Sequence, residues 1–234
     1  MTRALVVLSG GQDSTTCLYW AKKHYDEVMA ITFEYGQRHE IELTAAQTIA
    51  RMAEVRRHII VKMGGILKSR SPLTDRNVSL ETYRDYETMD ATIGDRVELT
   101  FVPMRNAFFL TLAANHAIAL DCFTLVTGVC ESDNANYPDC REHFIRAQED
   151  TINEALGISS FRIETPLIHM TKAATVRMAA DLPGCMEALA YSHTCYAGKV
   201  PPCGECHACV LRAHGFEEAR MNDPLLVRLG VIGD

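Results

Sequence analysis

The sequence predicts an α/β fold, a doubly wound and mostly parallel sheet with helices on both faces, carrying a small C-terminal metal-binding module. Three observations support it. Short apolar runs alternate with segments whose apolar residues recur at helical spacing. The first run breaks into a glycine turn, SGGQDS, and beyond residue 185 the composition shifts to cysteine, histidine and proline.

The elements follow in order. ALVVL at 4–8 is a continuous apolar run, as a strand buried on both faces requires, and the helical spacing of Cys17, Leu18 and Ala21 puts a helix directly after the turn. A second strand, VMAITF at 28–33, precedes a helix that places Ile41, Ala45, Ile49 and Met52 on one face, and HIIVK at 58–62 is the third strand. The pattern pauses over 64–98, a polar stretch too long for a structureless loop in a compact domain and read as a partly ordered insertion near a site. It resumes with a helix at 106–120, a strand CFTLVTG at 122–128, a helix at 141–156, a strand FRIET at 161–165 and a helix at 171–182. Strands alternating with amphipathic helices imply right-handed crossovers. The expected units are 1–185, the α/β domain, and 186–234, the cysteine module and tail.

Composition narrows the function. The chain has 234 residues, 47% hydrophobic and 23% charged, the balance of an ordinary soluble globular protein. A formal net charge of −7 offers no basic footprint for a long nucleic acid, which is not an expected partner. No apolar stretch approaches the ~20 residues that span a bilayer, and MTRALVVLSGG reaches its glycines too soon for a signal peptide. A cytoplasmic protein without a membrane partner is expected. In that compartment nine cysteines are unlike a disulfide framework and are read for metal binding or catalysis.

The turn SGGQDS at the end of a strand and the start of a helix is suited to an anion, because backbone N–H groups and the helix dipole converge there. It lacks the lysine of a Walker A loop and does not match G-x-G-x-x-G. The tail holds Cys195, Cys203, Cys206 and Cys209 in a C-x7-C-x2-C-x2-C array. Four thiolates close a tetrahedral Zn²⁺ site with no open position, a structural arrangement. An iron–sulfur cluster is the rival occupant. His207 is left without a place among four cysteines and is expected beside the metal site or in solvent. Cys17, Cys122 and Cys185 stand in apolar contexts and are expected in the core, whereas Cys130 and Cys140 either line a pocket or pack beneath a loop.

GVCESDNANYPDCR, at 128–141, follows a central strand at the edge where open parallel sheets bind ligands. Glu131, Asp133 and Asp139 flank Tyr137 there. A guanine-like edge presents an N1–H and an amino group, which one carboxylate accepts while an aromatic ring stacks on the base. A solvated acidic loop is the plainer alternative.

SGGQDSTTCL resembles the signature of the PP-loop ATP pyrophosphatase superfamily, an adenine nucleotide alpha hydrolase-like fold. The resemblance implies that Leu8, Ser9, Gly10, Gly11, Gln12, Asp13, Ser14, Thr15, Thr16, Cys17 and Leu18 bind ATP. Ser9, Gly10, Gly11, Ser14 and Thr15 would hold phosphate and Asp13 would help to bind Mg²⁺. With YGQRH at 35–39, FVPMRN at 101–106, TGVCESDNANYPDCR, TPLIHMTKA at 165–173 and the cysteine tail, the chain strongly resembles the 7-cyano-7-deazaguanine synthase (QueC) family. This implies conversion of 7-carboxy-7-deazaguanine and ammonia to the nitrile at the expense of ATP, in a homodimer, within 7-deazapurine biosynthesis. Asp13, Arg38, Arg105 and Lys172 are the catalytic candidates, the three cations to offset charge building on phosphate. Glu131, Asp133, Tyr137 and Asp139 are the substrate-binding candidates.

Two segments depart from the family pattern. Met104 stands where the pattern has a glycine or small residue, and Asn134, Ala135 and Asn136 replace Tyr-Ser-Gly. A relative that joins the deazaguanine to another amine, such as a protein N-terminus, is therefore an alternative, as is a tRNA-modifying PP-loop enzyme. A zinc-binding module with an idle nucleotide fold is the non-enzymatic one.

Overall fold

A computed structural model of the chain describes residues 1–131 and 135–233. In chain order it has β1 (Arg3–Val7), α1 (Gln12–His24), β2 (Glu27–Glu34), α2 (Ile41–Met52), β3 (His58–Lys62), α3 (Tyr86–Ile93), α4 (Arg105–Ile118) and β4 (Thr124–Val126). A 3₁₀ turn (Pro138–Cys140) leads to α5 (Glu142–Leu156), β5 (Arg162–Glu164), α6 (Lys172–Ala180), α7 (Cys185–Leu189), α8 (His207–Ala219) and α9 (Pro224–Arg228). Among the described residues the strands form one parallel sheet in the order β3-β2-β1-β4-β5. The order reverses between β1 and β4, so the ends of those two strands open a crevice.

Strand alternation builds a core on each face. Ala4, Val6 and Leu8 enter a cluster with residues of α1, α2, α6 and α7, whereas Leu5 packs with residues of α4 and α5. The central strands are thus buried on both sides, as their apolar runs predict. β4 and β5 are shorter than the expected 122–128 and 161–165. Thr171 is the cap rather than the first turn of α6, because its side chain accepts from the Ala174 N–H at 3.2 Å.

The insertion at 64–98 is ordered by packing more than by secondary structure. Tyr83, and Met89 and Ile93 of its helix α3, pack with Val210 and Leu211 of α8. The Tyr83 N–H donates to the Glu205 carbonyl at 2.7 Å. The cysteine segment is likewise no detached appendage. Arg212 of α8 is buried and grips Asp223 at 2.6 and 2.8 Å while also reaching Ser192 Oγ at 2.8 Å. This buried ion pair anchors α8 to the start of α9.

Removing one partner of such a pair strands a buried charge, at a cost of about 3–5 kcal/mol. Asp223→Ala is expected to lower the free energy of unfolding in urea by that amount. A loss below about 1 kcal/mol would mean that Arg212 is solvated.

Candidate active site

The glycine turn occupies the C-terminal end of β1. Gly11 caps α1 with no side-chain hydrogen bond, which leaves first-turn N–H groups for a ligand or water. Ser9 Oγ and Ser14 Oγ lie 3.0 Å apart, and the Gly11 N–H donates to Ser9 Oγ at 3.2 Å, so the hydroxyls brace the loop. Gly10 has φ +93°, and a side chain there would run into the Glu42 carbonyl and Ala46 amide of α2. At Gly128, beyond β4, an added Cβ would lie 2.9 Å from the Asp13 carbonyl carbon. Only glycine lets these backbones meet around the turn.

A cavity of about 270 Å³ opens from this turn. Leu8, Ser9, Gly11, Gln12, Asp13 and Ser14 form its floor. Gly10, Thr15, Thr16, Cys17 and Leu18 lie behind that surface: the two threonine hydroxyls donate to the Gly11 and Gln12 carbonyls, and Cys17 and Leu18 are core. Lys172, at the start of α6, lines the cavity and donates to both Asp13 carboxylate oxygens, at 2.9 and 3.1 Å. Residues 13 and 172, 159 positions apart in the chain, are thus brought together. Arg105 lines the cavity at the start of α4, with Nη1 donating to the Tyr35 hydroxyl at 3.3 Å. Phe33 and Phe109 stack beside it, centroids 4.4 Å apart, with Tyr35 edge-on to Phe109. Together they make an aromatic wall suited to a planar base.

Arg38 is placed elsewhere. Its Nη2 donates to the carbonyls of Asp75, Arg76 and Val78, so the guanidinium organises the insertion and does not line the cavity. Of the acidic loop, Tyr137 lines the cavity. Glu131 accepts from the Glu142 N–H at 3.0 Å and faces His169 at 3.4 Å. Asp139 is buried below the surface and accepts from the Asn106 N–H at 3.2 Å, and burial raises its carboxyl above the usual range. Asp133 lies outside the described residues. Cys17, Cys122 and Cys185 are core residues, and Cys130 and Cys140 line the cavity.

Several lining residues have no motif to announce them. Thr194, Tyr196, His207 and Leu211 come from the cysteine segment and α8. His207 is buried with both ring nitrogens unpartnered, and burial pushes its imidazole down to about 4, so it is neutral. Gln12 Nε2 and His39 Nδ1 are also buried without a partner. Unpaired polar atoms around one cavity are what a polar ligand would satisfy. From the insertion, buried Glu98 accepts from the Thr100 N–H at 2.7 Å, from the Thr100 hydroxyl and from the Tyr137 hydroxyl at 3.2 Å. A single glutamate at the end of a polar stretch gave no sign of this.

The four tail cysteines converge. Their sulfurs lie within 4.8 Å of one another, and those of Cys203 and Cys209 are 3.8 Å apart. Tetrahedral thiolates at ~2.3 Å from an ion sit about 3.8 Å apart, so the cluster fits a metal.

With that geometry in place, the family can be stated. The chain matches the family described as "Queuosine biosynthesis protein QueC" over residues 3–220. It belongs to the QueC family. It is 53% identical over 227 residues to the 7-cyano-7-deazaguanine synthase of Laribacter hongkongensis, covering 97% of this chain and 95% of that one. It is 47% identical over 229 residues to the synthase of the same name from Gloeobacter violaceus, with 96% of each chain covered. The synthase from Chromobacterium violaceum is also 47% identical, over 97% of this chain and 94% of its own.

The two segments expected to depart from the family pattern acquire a physical reading. Met104 has φ +66° and Asn136 φ +54°, so both occupy backbone conformations that favour glycine. Asparagine tolerates that region better than most residues. Asn136 also uses its amide: Nδ2 donates to the Gly94 and Arg96 carbonyls at 2.8 and 3.0 Å, tying the acidic loop to the insertion. Ala135 lines the cavity, and Asn134 lies outside the described residues.

Glu98→Ala leaves the Thr100 N–H and one of the paired Thr100 and Tyr137 hydroxyls without a buried acceptor, each costing roughly 1–3 kcal/mol. Faster proteolysis of the insertion is expected, with a lower thermal midpoint. An unchanged cleavage rate would show that Glu98 does not hold the insertion to Tyr137.

Proposed function

We propose that this protein is an ATP-dependent ligase that converts 7-carboxy-7-deazaguanine and ammonia to 7-cyano-7-deazaguanine. The observation that carries the reading is the cavity in which the Asp13–Lys172 pair and the glycine turn face the aromatic wall of Phe33, Tyr35 and Phe109, in a chain this similar to curated synthases of that name. A carboxylate resists amine attack until its oxygen is part of a good leaving group. ATP supplies one by adenylation, with loss of pyrophosphate. Ammonia then gives the amide, and adenylation of the amide oxygen allows AMP to depart and leave the nitrile.

The residues divide that work. Ser9, Gly11 and the first-turn N–H groups of α1 would hold phosphate oxygens. Asp13 would take part in Mg²⁺ binding, and Lys172 and Arg105 would offset charge building at phosphorus. Lys172 is already oriented by Asp13, so little reorganisation is needed when the phosphate arrives. Tyr137 and the aromatic wall would stack the deazapurine. The cysteine cluster would hold a structural Zn²⁺, whose chemistry is to cross-link the segment of residues 195–209 and so fix the wall made by Thr194, Tyr196 and His207. A homodimer belongs to the same reading and is tested by the molar mass in light scattering.

Product analysis tests the assignment. Purified protein with ATP, Mg²⁺, 7-carboxy-7-deazaguanine and ammonia should form the nitrile together with twice as much AMP. Nitrile absent while another amine is incorporated would move the protein to a conjugating role. No ATP cleavage in folded, metal-loaded protein would sink both. Asp13→Ala is expected to reduce AMP formation at least about 10²-fold in protein that still folds, with a lower thermal midpoint because buried Lys172 loses its partner; a normal rate would remove Asp13 from the site.

Cys206→Ser, or treatment with a strong chelator, should release zinc and lower the thermal midpoint together, because metal binding is coupled to folding. An unchanged midpoint after complete metal loss would mean that the ion supports no part of the fold.

A further inference from the structure

We propose that His39, oriented by Glu42, accepts the protons released from nitrogen in this reaction; the inference rests on the ligase reading above. His39 lies in the turn between β2 and α2, is 3% exposed and lines the cavity with Glu42. Its Nε2 is 3.0 Å from Glu42 Oε2. An ionised carboxylate only accepts, so that nitrogen carries the proton. In the neutral ring Nδ1 is then an acceptor, and it is buried without a partner. Leaving it so costs roughly 1–3 kcal/mol unless a ligand donates to it.

The surroundings favour a base. A carboxylate behind the imidazole fixes the ring and stabilises it once protonated, which is how a general base is held ready. The Tyr196 ring, 5.7 Å away and tilted by 47°, limits the imidazole on the side of the cysteine segment. The same helix that carries Glu42 presses on Gly10, so the dyad stands beside the ATP turn, where an acyl adenylate would form. The other unpartnered groups in the cavity wall are less suited. Gln12 Nε2 is only a donor, and His207 has no partner at either nitrogen to orient it.

The chemistry has protons to remove at two stages. In amide formation the ammonia nitrogen bonds to the acyl carbon, and the carbon–oxygen bond to AMP breaks with its electron pair leaving on AMP. One N–H proton passes to His39 Nδ1. In nitrile formation the carbon–oxygen bond of the adenylated amide breaks in the same sense, and the nitrogen sheds two protons as its bond to carbon becomes triple. Nδ1 takes them singly, releasing each to water before the next.

His39→Ala and Glu42→Gln in the full-length protein separate this role from the alternatives. ATP–pyrophosphate exchange with 7-carboxy-7-deazaguanine and no ammonia reports adenylation alone; amide and nitrile formation with ammonia report the proton-releasing steps. In His39→Ala, exchange should persist while amide and nitrile formation fall about 10²–10⁴-fold, with partial rescue by free imidazole. Glu42→Gln, which keeps the imidazole, should show the same split with a smaller loss, and it carries the test should His39→Ala fail to fold. Equal losses in exchange and product, or a raised KM for ATP alone, would make His39 a phosphate contact or a structural residue and overturn the proposal. Exchange absent in the unaltered protein would instead remove the ligase reading on which it rests.

Discussion

At Gly128 the chain beyond β4 presses so closely on Asp13 and Ser14 that not even a methyl group fits between them. Gly10 meets α2 with the same tightness on the other side. Interiors this dense do not deform continuously, so the turn at the end of β1 has its place dictated by two neighbours at once. The position of Asp13, and through it that of Lys172, follows from that packing. A loop held only by its own hydrogen bonds would be free to relax away from a phosphate.

Around this floor the cavity is walled by parts of the chain far apart in sequence. The α/β domain contributes Phe33, Tyr35, Arg105 and Phe109, and the cysteine segment contributes Thr194, Tyr196 and His207. The insertion closes the assembly indirectly, through Glu98 to Thr100 and Tyr137 and through the packing of α3 on α8. The cysteine cluster, the insertion and the cavity are therefore coupled by contact, because α8 touches all three. The buried Arg212–Asp223 pair sits on that same helix, where a partnered charge fixes geometry even if it adds little net stability.

Arg38 and Glu98 show how differently two charged residues can be legible. Arg38 stands in YGQRH, amid residues that do reach the cavity, yet its three backbone acceptors spend the guanidinium on the insertion. Glu98 belongs to no pattern, and its buried carboxylate is satisfied by Thr100, two residues on, and by Tyr137, which only folding brings near. Spacing along the chain shows which residues are neighbours in an element. It is silent on which of two nearby polar groups a long side chain will choose.

From its own order the sequence determined the alternation of strands and helices, the glycine turn at the end of β1 and the grouping of four cysteines. Each of these is local: periodicity of two or 3.6 residues, a turn that needs missing side chains, ligands a few residues apart. The tertiary structure alone decided that Lys172 reaches Asp13, that Glu131 and Asp139 are not part of the cavity lining, and that His39 and His207 are buried there without full partners. The reason is that a site of this kind is the meeting of strand ends, helix starts and an insertion. Those meetings are set by the packing of whole elements, and no window of sequence contains them.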